Sequence, residues 1–176
     1  SIPSEATSQA HLLVKDKGII AGIELAKMIF KEVDSSLKIK QLLKDGDKVK
    51  FGDIAFIAKG SSISILTGER LALNCMQHMS AIATKTAYLN TLIAGTNCKL
   101  LDTRKTNPLN RTIEKWAVKI GGGEDHRVGK YDMIMIKDNH IDFAGGIANA
   151  IQKTKNYLAK KNKNLDISVK ARGLTE

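Results

Sequence analysis

In GIELAKMIFKEV (22–33), Ile23, Ala26, Ile29 and Phe30 recur three and four residues apart, with charged residues between them. That period gathers the apolar side chains on one face and predicts a helix. HLLVKDKGII (11–20) predicts a short strand and a turn, and LKIKQLL (37–43) and IAFIAK (54–59) are β-type runs. Between them DGDKVKFGD (45–53) is dense in turn residues. Together these predict a small α/β unit. Thr67 is expected to cap a long amphipathic helix reaching about Asn90, with Leu71, Leu73, Met76, Met79 and Ile82–Ala83 on its apolar face. Ser80, Ala81, Ala83 and Thr84 imply close packing along it, and AGTN (94–97) ends it.

Beyond that helix the pattern changes. Strands at 99–103, 132–137 and 165–171 alternate with helices at 111–120 and 143–160. Such alternation predicts parallel strands joined by crossover helices. In sheets and barrels of this kind, ligands gather at the carboxyl ends of the strands.

Composition narrows the class. The chain has 176 residues, 43% hydrophobic and 26% charged, which suits a soluble protein with a real core. No run of apolar residues is long enough to span a bilayer, and no membrane partner is expected. Lys and Arg number 28 against 18 Asp and Glu, a formal charge of +10. Nucleic acid is disfavoured as the partner: aromatics make up only 5%, and no zinc-finger, RNP or basic-zipper spacing is present. A small anionic ligand fits the clustering better. Cys75 and Cys98 lie in apolar stretches without a CxxC, which argues against a metal site or disulfide framework and for a reducing cytoplasm. SIPSEATSQA has no signal-peptide pattern and begins abruptly, and DISVKARGLTE stops just past a strand, so both ends read as cut.

The candidate chemistry lies at the strand ends. LLDTRKTNP (100–108) runs from two leucines into Thr103, Arg104 and Lys105, and the second strand ends in Lys137-Asp138-Asn139-His140. Between them GGGEDHRVGKYD (121–132) supplies three glycines, which allow close backbone approach, and then His126 and Arg127. One rim therefore collects Arg104, Lys105, His126, Arg127 and Lys137, a set of cations that calls for a ligand with several negative groups. Each piece has a plainer reading. The glycines can cap a helix, Asp138 and His140 can cap the next one, and His78 can be packed or on a helix surface. Trp116 is expected in the core. Lys153, Lys155, Lys160, Lys161 and Lys163 are expected on a solvated face. The DGDKVKFGD turn resembles that of biotinyl and lipoyl carrier domains. No modifiable lysine follows on a second hairpin, so a similar turn without a prosthetic group is expected.

ERLALNCMQHMSAIAT (69–84), LLDTRKTNP and EKWAVKIGGGEDHRVGKYDMIMIKDNHI (114–141), in that order, resemble the quinolinate phosphoribosyltransferase family. KGIIAGIELAKMIF and LLKDGDKVKFGD fit its N-terminal domain, so the resemblance covers nearly the whole chain. It implies an α/β fold: an N-terminal α/β sandwich domain over 1–92, without its start and including the long helix, then the first part of an incomplete (β/α) barrel with parallel strands over 93–176. It implies a homodimer, or a higher homo-oligomer, that transfers phosphoribose from phosphoribosyl pyrophosphate to quinolinate with Mg²⁺, releasing pyrophosphate and CO₂ and giving nicotinate mononucleotide for NAD biosynthesis. By the same resemblance Arg70 reaches quinolinate in the partner's site. Thr103, Arg104 and Lys105 form the family's TRK segment, His126 and Arg127 hold the carboxylates, and Lys137 lies between the two substrates. The resemblance makes Lys137, Arg104 and Lys105 the catalytic set. One departure stands out: Lys170 occupies a place where the family usually has a glutamate facing ribose and metal. The alternatives are a truncated or divergent anion-binding module without turnover, or a related molybdenum-associated or nicotinate phosphoribosyltransferase.

Overall fold

The computed structural model describes residues 2–129 and 131–173, and the chain divides into two units, Ser1–His126 and Arg127–Glu176. The first runs β1 (Thr7–Leu13), β2 (Gly18–Ile19), α1 (Ile23–Val33), β3 (Lys38–Gln41), β4 (Lys48–Val49), β5 (Ile54–Ser61), α2 (Ser62–Leu92) and α3 (Arg111–Ile120). The second runs β6 (Ile134–Ile136), α4 (Asp138–Ala144), α5 (Ile147–Lys160) and β7 (Ile167–Val169).

In the first unit β5 lies between β1 and β3, antiparallel to both. Ala55, Phe56 and Ala58 of β5 are buried with Ile23, Ala26 and Phe30 of α1, so the spacing of α1 places its apolar face as predicted. Phe30 and Phe56 meet edge to face at 6.1 Å, a contact worth about 0.5–1.5 kcal/mol beyond burial. Asp45, in the DGDKVKFGD turn, caps α1 by accepting the Ile23 N–H at 2.8 Å. Asp47 and Asp53 close the turn's two bends by accepting from the N–H groups of Lys44 and Lys50. That turn is thus built around three carboxylates with structural partners.

The short ribbon β2–β4 is antiparallel. On the other side of β2, hydroxyls of α2 stand where another strand would be: Thr84 Oγ1 accepts the Ile19 N–H and Ser80 Oγ the Ala21 N–H, both at 2.9 Å. Gly18 permits this approach, since a Cβ there would lie 2.5 Å from Thr84 Oγ1.

The long helix differs from expectation at its start and on its face. It begins at Ser62, where Ser61 Oγ accepts the Ser64 N–H as a cap. Thr67 is inside the helix, its hydroxyl donating to the Ile63 carbonyl. Its buried positions are Ile65, Gly68, Ala72, Met76, Met79, Ala83 and Thr86, while Leu71 faces solvent. The stripe runs through small residues because α1 comes close: a Cβ at Gly68 would lie 2.9 Å from the Phe30 ring. Residues 99–103 do not form a strand; a single parallel bridge, Leu101 with Glu124, is all the ladder there. Cys98 is exposed rather than apolar-packed, and Trp116 is only partly buried at the edge of the Ala21–Met79–Ala83–Ala117 cluster.

In the second unit β6 and β7 pair in parallel, Ile134 with Ile167 through Ile136 with Val169, as the strand–helix alternation predicts. Ile136, Ile141 and Ala150 form its core. The crossover is two helices, not the single helix expected over 143–160. Gly145 and Gly146 break it at φ 80° and 118°, a conformation that glycine adopts without steric cost. Lys153, Lys155, Lys160, Lys161 and Lys163 are exposed as expected. The fold class is thus the one the sequence implies: an α/β sandwich, then a parallel strand–helix unit of a partial barrel.

Candidate functional site

LLDTRKTNP is held at both ends by buried charge. Its front end lies beside residues 124–126: Asp102 N–H donates to the Glu124 carbonyl at 3.0 Å and Glu124 N–H to the Leu100 carbonyl at 2.8 Å. The Asp102 carboxylate, 2% exposed, accepts the His126 N–H at 2.9 Å and an ion pair from Lys115 Nζ of α3. Lys115 is itself only 5% exposed. A charge so deep is tolerable only with a partner at hydrogen-bonding distance.

The back end is held by the neighbouring residue of the same helix. Glu114, 9% exposed, accepts from Asn107 through both its N–H (3.3 Å) and its Nδ2 (2.7 Å), and pairs with His78 Nε2 of α2 at 2.9 Å. Burial alone would push the Glu114 carboxyl up. Hydrogen bonds from His78 and Asn107 outweigh it and hold the group below the ordinary carboxylate value. His78, its side chain 37% exposed, thereby has a structural partner at the surface of α2.

Between these ends lie the candidate ligand groups. Thr103 Oγ1 accepts the Lys105 N–H at 3.2 Å, Lys105 is exposed, and Arg104 is half-buried with its Nε shielded and without a hydrogen-bond partner. Since segments 100–102 and 124–126 run side by side, Thr103–Lys105 and His126 leave the same bridge in the same direction. Arg70 stands exposed on α2. The glycine triplet does not offer free N–H groups as an anion cradle. Gly121, Gly122 and Gly123 donate to the carbonyls of Ala117, Lys119 and Val118 and so end α3. Gly121 is there for packing, because a Cβ would lie 2.5 Å from the Ala83 carbonyl oxygen.

In the second unit Lys137 follows β6, exposed, at the N-cap of α4. Its N–H donates to His140 Nδ1 at 2.9 Å, which gives His140 the capping role open to it in the sequence. Lys170, just past the parallel neighbour β7, donates to Asp138 Oδ2 at 2.8 Å. That bond, opposed by desolvation and aided by the charges of Lys170 and Arg172, keeps the Asp138 carboxyl below its ordinary value. The other oxygen, Oδ1, is buried without a hydrogen-bond partner. Arg127 lies 3.4 Å from Met135 Sδ, a contact that leaves most of its guanidinium capacity unused.

The sequence reading missed Asp102, Glu114, Asn107 and Lys115. The signal was present in α3: Glu114 and Lys115 stand beside Ile113 and Ala117, where an apolar face would continue. Charged residues at core positions of a helix imply buried partners elsewhere.

The chain matches two family models, "Quinolinate phosphoribosyl transferase, N-terminal domain" over residues 1–80 and "Quinolinate phosphoribosyl transferase, C-terminal domain" over 82–176. It is 47% identical over 180 residues to the chloroplastic nicotinate-nucleotide pyrophosphorylase [carboxylating] of Arabidopsis thaliana, covering 100% of this chain and 50% of that protein. It is 46% identical over 180 residues to the mitochondrial quinolinate phosphoribosyltransferase [decarboxylating] 2a of Nicotiana tabacum, with the same coverage of 100% and 50%. Among solved structures, NadC from Streptococcus pyogenes superposes with a TM-score of 0.92 at 36% identity, covering 99% of this chain and 61% of that one. The chain spans about half the length of the curated relatives it matches.

Proposed function

We propose a function on one premise: the chain belongs to the quinolinate phosphoribosyl transferase family. Its activity is the transfer of phosphoribose from phosphoribosyl pyrophosphate to quinolinate with decarboxylation, yielding nicotinate mononucleotide, pyrophosphate and CO₂ for NAD biosynthesis. The observation that carries this reading is the bridge through Asp102. It sets the Thr103-Arg104-Lys105 segment and His126 side by side, with the Arg104 Nε buried and unpartnered. A planar dicarboxylate supplies acceptors in the geometry that a guanidinium group binds.

In this proposal Arg104, His126 and Arg127 hold the two carboxylates of quinolinate, and Lys105 and Lys137 face phosphate oxygens. Arg70 acts on the site of a second copy in a homodimer. The pyridine nitrogen attacks the anomeric carbon as pyrophosphate leaves. Negative charge grows on the departing oxygens, where a fixed ammonium group lowers the barrier. The ring nitrogen becomes cationic and stabilises the carbanion left on the neighbouring ring carbon as CO₂ departs; that carbon then takes a proton from water, completing nicotinate mononucleotide. The protein's task is orientation and charge placement rather than proton transfer. Among the described residues no group of three or more His, Cys, Asp or Glu side chains converges. Mg²⁺ enters the proposal with the substrate, since it is usually held by substrate phosphates together with one or two carboxylates. Two free cysteines fit a reducing compartment, of which the cytoplasm proposed here is one. No helix among the described residues is long and apolar enough to cross a membrane.

The test is calorimetric titration of quinolinate into the chain. Arg104→Ala and His126→Ala should each weaken binding at least tenfold, roughly 1.4 kcal/mol. The His126 change keeps the backbone bond to Asp102, so it reports on the ring alone. A folded chain that takes up no quinolinate at millimolar concentration would overturn the reading. A second reading, an anion-binding module without turnover, is favoured by Lys170, whose charge occupies Asp138 at the carboxyl ends of β6 and β7.

A further inference from the structure

We infer that Lys115 and Glu114 of α3 are positioning residues that fix both ends of the anion-binding segment Thr103–Lys105, through Asp102 and Asn107 respectively. The inference deepens the proposed function and rests on it for the identity of the ligand.

Consecutive residues on a helix point about 100° apart, so Glu114 and Lys115 reach two different stretches of chain from one turn. Lys115 takes Asp102, just before the segment, and Glu114 takes Asn107, two residues past its end. Residues 103–106 form neither helix nor strand. The local bond from Lys105 N–H to Thr103 Oγ1 spans only two residues, so the direction in which the segment leaves the protein is fixed at its ends. The front anchor does more than hold one segment. Asp102 binds Lys115 through Oδ2 and the His126 N–H through Oδ1, so a single carboxylate also sets the spacing between Arg104–Lys105 and His126. Glu114 likewise links its segment to α2 through His78.

Stability alone is not a sufficient account of this arrangement. Buried ion pairs are commonly matched or exceeded in stability by apolar residues of similar volume. What apolar residues cannot supply is direction: a charged hydrogen bond admits one geometry, whereas hydrophobic contact tolerates sliding. Two such bonds around four residues determine where the intervening guanidinium and ammonium groups point. A displacement of about 1 Å at such groups is enough to lose much of their effect.

The experiment uses the full chain with Asp102→Asn and Lys115→Met together. The pair loses its charge, while asparagine Oδ1 still accepts the His126 N–H. Three quantities are read: the melting temperature, hydrogen exchange of the amides at 103–106, and the quinolinate dissociation constant. We expect the melting temperature to stay near that of the unaltered chain. Exchange at 103–106 should rise at least tenfold, and quinolinate binding should weaken at least tenfold. Unchanged exchange, or faster exchange with unchanged binding, overturns the inference. Should the double variant fail to fold, Asn107→Ala removes the shorter of the two bonds of the back anchor, the one from Nδ2, at an exposed residue, and is judged by the same criteria. If the unaltered chain does not bind quinolinate, the functional reading falls, while exchange at 103–106 still decides whether the anchors hold the segment.

Discussion

Glu114 is charged inside the protein because three hydrogen bonds make it so, and that has a measurable sign. Its folded-state value lies below the ordinary 4.5, so the stability it contributes is fully present above that value. It is lost as pH falls through the depressed folded value. We expect denaturant midpoints of the unaltered chain to drop as pH falls below the ordinary 4.5, and Glu114→Gln to flatten that drop. Identical slopes would show that Glu114 is not the group concerned. Asp34, Asp132 and Asp138 are also held low, but they are common to both proteins and cancel in the difference. At this scale the sequence was informative about ligand-facing groups and silent about their supports. Arg104, Lys105 and His126 are legible because cations that follow an apolar run stand out. Asp102 and Lys115 each resemble an ordinary surface charge until folding brings them together from 13 residues apart.

Elements were legible where their period was carried by side chains of ordinary size. Helix α3 falls on the residues its pattern predicts, and α1 within one. On the long helix Met76, Met79 and Ala83 are buried as expected, but its first half was misread because the buried face there runs through the small residues Gly68 and Ala72, while Leu71 points outward. The same substitution of proximity for bulk recurs where α3 ends against α2. Gly121 has an ordinary φ of −74°, so alanine there meets no backbone strain, only the Ala83 oxygen at 2.5 Å and Thr86 Cβ at 2.7 Å. Gly121→Ala should cost about 1–3 kcal/mol by overpacking, lowering the melting temperature by roughly 3–10 °C for a chain of this size. A melting temperature within 1 °C of the original, by about the usual scatter, would show that α3 can shift freely. The break in the crossover was hidden for another reason. Gly145-Gly146 sits in a stretch whose apolar residues keep helical spacing on both sides, so the pattern continues while the backbone does not.

For the whole molecule the parallel β6–β7 pair was legible from alternation, and the expected strand at 99–103 was not realised as a ladder. Leu100 and Leu101 look like strand residues, yet only one bridge forms, and its two backbone bonds to Glu124 are joined by the Asp102–Lys115 ion pair in holding that segment. Two parallel strands supply a small part of a barrel rim, and Lys170 places a cation beside Asp138 there. We expect the 176-residue chain, given quinolinate, phosphoribosyl pyrophosphate and Mg²⁺, to turn over poorly or not at all in a product assay, whatever its affinity for quinolinate. Turnover near that of a full-length relative would overturn this. The hydroxyls of Ser80 and Thr84 carry a last consequence. Because they occupy the N–H groups of Ile19 and Ala21, that side of β2 has no free donors at those positions to recruit a strand from another molecule. A helix thus does the work of a missing neighbour, and a chain of short strands and high charge is guarded at that edge against growing into a fibre.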